Sequence, residues 1–376
     1  MKYVKLILLS FFVVIQLMIS SSCDFSSIPI FVPSPKDSVL GAHTVPLWSA
    51  DGRKLYYFGG FFLSEKYGLY EMTFPDGVSK LLMEDSLEKM SPVISPDRSK
   101  IAYLANTPSM LSCCAHVYVI NVDGTNKKDL TPLGGNWRQP RWSPDGNKVI
   151  FEGSVIENGV RYNQIYIVDV NTGAIKHLTQ NSSKFNNGEA SYLSDGKNIV
   201  YSSAEPAYGA QGKVYITDEE GIIRTPIDTI NMRSGVPRPS PTRNEMLFLL
   251  ENFRFGTYYI NFESAQIPLG TDTLYRFFDN TGIISTISWS TNGDQLAFLF
   301  YASSVSNGLA IMNREGTGYR VIEDGMAWNV MRNLHWSADD KYLAYQKLTR
   351  GSADELGYYI YDAQLKASTK LNIRYK

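Results

Sequence analysis

Residues 141–153 read RWSPDGNKVIFEG, and close variants of this stretch recur along the chain. KVIFEG holds a short run of β-branched and aromatic residues, as in a β-strand. Ser-Pro-Asp-Gly before them is turn chemistry, because Asp bonds its own local backbone and Gly adopts positive φ. The stretch is therefore a strand, a tight turn and a second strand. Earlier copies are LWSADGRKLYY and VISPDRSKIAY; later ones are SYLSDGKNIVY, RPSPTRNEMLF, SWSTNGDQLAF and HWSADDKYLAY.

The residue three places after each Trp-like position forms a series: Asp51, Asp97, Asp145, Asp195, Thr242, Asn292 and Asp339. These seven anchors span six intervals with a mean period of 48 residues. Each unit continues past the hairpin into a third alternating strand (HVYVINV, QIYIVDV, KVYITDE), a turn that often holds Gly, and a short fourth strand such as KDLT or KHLT. Four short strands repeated at this period predict blades arranged about an axis. The expected fold is all-β, a seven-bladed β-propeller of four-stranded antiparallel blades over 41–376. In that reading the repeated Trp, Asp and Gly are construction: Trp142 fills space between blades and Asp145-Gly146 makes a turn.

The W-S-P-D-G-x-x-hydrophobic-x-aromatic core is complete from Trp142 to Phe151 and partial elsewhere. It resembles the WD-like repeat of the TolB family. That resemblance implies the propeller fold and not TolB's own role, since TolB adds an α/β domain and usually has six blades.

The first residues have a different character. A basic start, MKYVK, precedes the apolar run LILLSFFVVIQLMIS, whose last Ser opens SSSC at residues 20–23. The run is short for a membrane span and suits a secretory leader. SSSC resembles a lipobox, which makes residues 1–22 a lipoprotein signal peptide, Cys23 the lipidation site and 23–40 a tether. The expected location is the exported side of a bacterial envelope, at the outer membrane, with membrane attachment through the lipid anchor only. The remaining cysteines, Cys113 and Cys114, are adjacent and cannot staple distant strands.

Charge excludes one class of partner. Lys plus Arg number 36 and Asp plus Glu 37, a balance that argues against a nucleic-acid binder, which needs a basic surface to displace counterions. No cofactor or metal is expected, because no Cys/His spacing matches a zinc site and no phosphate-binding loop is present. The four histidines are His43, His116, His177 and His335. His116 and His177 fall on third and fourth strands, away from an axis. His43 and His335 share no strand level, so a histidine-metal lyase centre is disfavoured. No GxSxG nucleophile elbow occurs.

What differs between copies must carry function. The loops between second and third strands are dissimilar (NTPSMLSCCA, AEPAYGAQGK, LTRGSADELG), whereas the hairpin turns are uniform. Links entering the first strands open on the same face as these loops. They carry Lys89, Trp137-Arg138, Arg233, Trp328 and Arg332, a set of cations and flat rings suited to an envelope protein or a glycan. The expected function is a non-catalytic binding or scaffold module of the cell envelope. The alternative is a carbohydrate-active propeller enzyme such as a polysaccharide lyase.

Overall fold

A computed structural model of the chain describes residues 41–376 except 43, 45, 61–66, 107–114, 181–183, 206–211, 223, 228–232, 252–255, 262–274, 277–282, 303–305, 324–330, 348–356, 372 and 376. Cys23, His43, Cys113, Cys114 and Trp328 lie outside the described residues. Among those described there is no α-helix, and no helix long and apolar enough to cross a membrane.

The strands form six four-stranded antiparallel blades over 88–129, 138–177, 186–226, 233–276, 283–323 and 331–370, here the first to sixth. A further sheet has six strands. In it Gly41–Ala42 and Leu47–Trp48 both pair with Lys54–Gly60, followed by Tyr67–Thr73 and Val78–Asp85. Its last member is Arg374–Tyr375, which pairs in parallel with Val78–Ser79. The expectation of seven equal four-stranded blades is thus corrected to six such blades and one six-stranded closing sheet.

The fourth strand of the last unit, expected from sequence around Lys370 to Tyr375, is Ala367–Lys370, and the chain then leaves the sixth blade for the closing sheet. An outer strand exposes a row of unpaired backbone groups, and Arg374–Tyr375 covers part of that edge. A second candidate for an outer strand, the apolar stretch IPIFVP at 28–33, lies outside the described residues.

Second strands such as KIAYLAN are apolar on both faces because both faces are buried. Ile101 and Tyr103 pack toward the closing sheet, while Ala102 and Leu104 pack toward the second blade. The same alternation joins the second to the third blade through Ile150 and Ile199, the fourth to the fifth through Leu247 and Phe298, and the fifth to the sixth through Ala297 and Leu343. Trp48, Tyr57 and Met72 meet Ala344, Tyr358 and Ile360 where the sixth blade returns to the closing sheet. Each buried Leu, Ile, Phe or Met among them removes apolar surface worth roughly 1.5–3 kcal/mol from water.

The repeated motif proves structural in detail. In five copies the Ser hydroxyl donates to the anchor carboxylate or amide, at 2.5–2.8 Å (Ser49, Ser95, Ser143, Ser290, Ser337). The same hydroxyl accepts the backbone N–H five residues on, closing the turn. Gly146 follows at φ 70°. Trp142 packs between blades and donates its Nε1–H to Val93 O of the preceding blade at 3.0 Å; Trp289 does the same to Arg238 O at 2.9 Å.

Three copies replace that Gly by Arg98, Arg243 or Asp340, and each replacement ties turns together. Arg98 Nη1 donates to Trp48 O at 3.0 Å, and its Nη2 to Thr291 Oγ1 and Trp336 O. It therefore links the first blade to the closing, fifth and sixth sheets. Arg243 bonds Gly293 O and Asp294, and Asp340 accepts from the N–H groups of Thr291 and Asn292. The hairpin-turn mouth of the axis is laced by these bonds.

Candidate functional site: a charged cluster on the axis

First strands line the axis, and most carry a bulge. Register breaks fall between Met90 and Val93, Arg138 and Arg141, Gly188 and Ser191, Arg233 and Val236, and Arg332 and His335. Ser91, Gln139 and Glu189 sit in three of these bulges at φ 49°, 50° and 54°. A bulge re-aims side chains that a regular strand would alternate.

Three blades use it to build one charged cluster. Glu189 of the third blade stands between Arg141 of the second, 2.9 Å away, and Arg238 of the fourth, 3.0 Å away, both bonding its Oε2. Gln139 Nε2 donates to its Oε1 at 3.0 Å. Arg141 also donates to Ala190 O at 2.7 Å and to Gln139 Oε1 at 3.2 Å. These three charged side chains keep about a quarter of their surface in solvent, at 24–25%.

Behind them Glu152 is buried, and its Oε1 accepts the Glu189 backbone N–H at 2.5 Å. Burial, then the repulsion of Glu189, push the Glu152 carboxyl up to about 7. Burial acts on Glu189 in the same sense, but Arg141 and Arg238 outweigh it and bring that carboxyl down to about 2. Two neighbouring carboxyl groups therefore hold opposite protonation preferences near neutral pH.

The residues expected from sequence are placed unevenly. Arg138 borders the cluster: its Nη2 donates to Asn163 Oδ1 at 2.8 Å, while its buried Nε has no partner among the described residues. Trp137 stands edge-on to Phe151 and Tyr166, with ring centres 5.1 Å away in both cases. Gly135 and Gly153 admit the indole, since a Cβ at either would lie 2.3 Å from it. Lys89 is fully buried and spends its ammonium inside the fold, on Asp85 at 2.5 Å, Leu87 O at 2.8 Å and Tyr67 O at 3.0 Å. Arg233 and Arg332 begin the bulged segments of the fourth and sixth blades.

The three described histidines do not gather. His116 Nδ1 lies 2.7 Å from Asp129 on the outer strands of the first blade, and His177 stacks on Tyr166 at 4.6 Å. His335 Nδ1 accepts the Trp48 backbone N–H at 3.4 Å; burial and then Arg98 pull it down to about 3, so it is neutral.

Sequence reasoning missed Glu152, Glu189, Arg141 and Arg238. Two signals for them were present. Glu152 is a carboxylate inside the apolar run KVIFEG. The residue before each Trp-like position is Leu47, Val93, Arg141, Ser191, Arg238, Ser288 or His335, and its charged members mark the axis.

Comparisons with known proteins follow the fold. An uncharacterized protein of Agrobacterium fabrum, Atu1656, is 23% identical over 192 residues, which is 49% of this chain and 61% of that protein. The match therefore spans less than two thirds of that relative. Among solved structures, a prolyl endopeptidase superposes with TM-score 0.65 at 13% identity, covering 87% of this chain and 49% of the other. This chain thus spans about half of that enzyme. TolB from Acinetobacter baumannii superposes with TM-score 0.53 at 14% identity, over 81% of this chain and 75% of the other. Residues 60–267, more than half of the chain, match the model of the TolB beta propeller domain. The chain belongs to the TolB β-propeller domain family.

Proposed function

We propose that this protein is a binding propeller of the bacterial cell envelope, exported by residues 1–22 and held at a membrane through acylated Cys23. In this reading the six-stranded sheet serves as the seventh sector of the ring. The irregular-loop face meets an envelope protein or a glycan, with Arg138, Arg233, Trp328 and Arg332 among its contacts. One observation supports this choice of face above others: the opposite mouth is laced by Arg98, Arg243 and Asp340, so those side chains are already spent. Lys89 and Trp137 support the mouth from within rather than by contact, given the internal bonds of the one and the edge-on ring packing of the other.

The test is capture of the acylated protein from its native membrane. Arg138→Ala and Arg332→Ala are expected to lose a stoichiometric partner while melting near the parent temperature. Asp123→Ala, in a turn on the other face, is expected to keep it. Loss with Asp123→Ala alone would overturn the assignment of the face. Turnover of an acidic polysaccharide by the purified chain would overturn the non-catalytic reading.

A further inference from the structure

The axis cluster carries more positive charge than its own fold uses. Arg138, Arg141 and Arg238 converge on Glu152 and Glu189, and Glu189 is the one carboxylate among them held firmly ionised. Among the described residues, Arg238 spends only Nη1, on Glu189 and Pro237 O, and Arg138 spends only Nη2. The remaining nitrogens of these two side chains have no partner among the described residues, and Arg138 Nε is buried. Guanidinium groups partly withdrawn from water and short of matching anions are costly, and a bound anion reduces that cost.

We propose that the axis side of the second, third and fourth blades is a binding site for a carboxylate, held by the unspent donors of Arg138 and Arg238 beside the Glu189 salt bridges. Glu189 shows the recognition in miniature. One carboxylate accepts from two guanidinium groups and an amide at 2.9–3.0 Å, the planar match that arginine offers. A second carboxylate completes the charge balance. It meets Glu152, whose Oε1 is already an acceptor for Glu189 N–H and whose protonated form can donate its O–H to the newcomer. A phosphate dianion would bring a second negative charge beside ionised Glu189 and is disfavoured. The ligand enters from the irregular-loop side, because Arg98 crosses the other mouth. The assignment concerns axis side chains and stands whether or not the loop face docks a partner.

The experiment is calorimetric titration of the full chain at low salt and pH 6, with succinate, inorganic phosphate, an Asp-containing peptide and its Asn counterpart. Saturable succinate binding is expected. Arg138→Gln should weaken it roughly tenfold, the equivalent of one charge-assisted hydrogen bond. Glu189→Gln removes the internal competitor and should tighten it about fivefold or more, an effect no purely structural salt bridge produces. Weakening above pH 7 that disappears in Glu152→Gln would add support. Tighter binding of the Asp peptide than of succinate would identify the source as an acidic side chain, and the reverse a free acid. Absence of saturable carboxylate binding in the folded parent and in folded Glu189→Gln would overturn the proposal. Phosphate binding as tight as succinate would overturn the carboxylate assignment.

Discussion

Replacing Glu152 by Gln keeps the side chain's shape and its acceptor for the Glu189 N–H while removing its titration. The folded carboxyl lies at about 7 against an ordinary 4.5. Between these values the folded chain holds a proton that the unfolded chain has released, so this group's contribution to stability falls as pH rises through that window. At about 1.4 kcal/mol per unit the full contribution is roughly 3 kcal/mol, and the side chain is buried enough for little screening. His335, drawn down to about 3, and Glu189, at about 2, act in the opposite sense: their stabilisation is lost on acidification, below 6.5 and 4.5 respectively. Both are common to parent and variant and cancel in the difference. Urea unfolding at pH 4.5, 6 and 8 should therefore show Glu152→Gln gaining on the parent by up to roughly 3 kcal/mol from the lowest to the highest pH. A difference that stays constant within about 0.5 kcal/mol over this range would refute the coupling of burial and Glu189 described for the cluster.

Three further outcomes probe the frame. Arg98→Lys should cost about 2–3 kcal/mol in denaturant unfolding, because an ammonium cannot span Trp48 O, Thr291 and Trp336 O together. Trp142→Phe should lose about 1 kcal/mol more than Trp48→Phe, since the Trp142 indole donates to Val93 O and the Trp48 Nε1 has no partner among the described residues. A chain ending at Ile373 should melt at lower temperature, by about 1–2 kcal/mol of lost strand pairing at Val78–Ser79, whereas a chain starting at Lys36 should melt unchanged.

Part of the candidate site was readable in the chain. Arg138 and Trp137 stand out because they enter a first strand beside bulky neighbours, and Arg138 does border the cluster. Lys89 looked equivalent by position, yet its ammonium is consumed by Asp85 and two carbonyls. Position along a repeat predicts the level at which a side chain sits; it does not reveal which internal acceptors wait there. Glu189 shows the converse. It reaches the axis because its backbone adopts φ 54° within a bulge, and no residue type in NNGEASY demands that conformation.

The sequence by itself determined the blade. Its evidence is local: alternation at two residues, and Ser-x-Asp turns whose hydroxyl bonds the anchor two residues on and the backbone N–H five residues on. Such bonds form within one hairpin and leave a mark at fixed spacing. Tertiary structure alone decided the rest. Arg141, Glu189 and Arg238 each lie about one repeat apart and meet only because the first strands of successive blades approach a common axis. Likewise Arg374–Tyr375 closes the ring against Val78–Ser79, almost the whole chain away. A parallel pairing of two residues leaves no periodicity to read, because its partner is chosen by which edge the finished ring leaves unpaired.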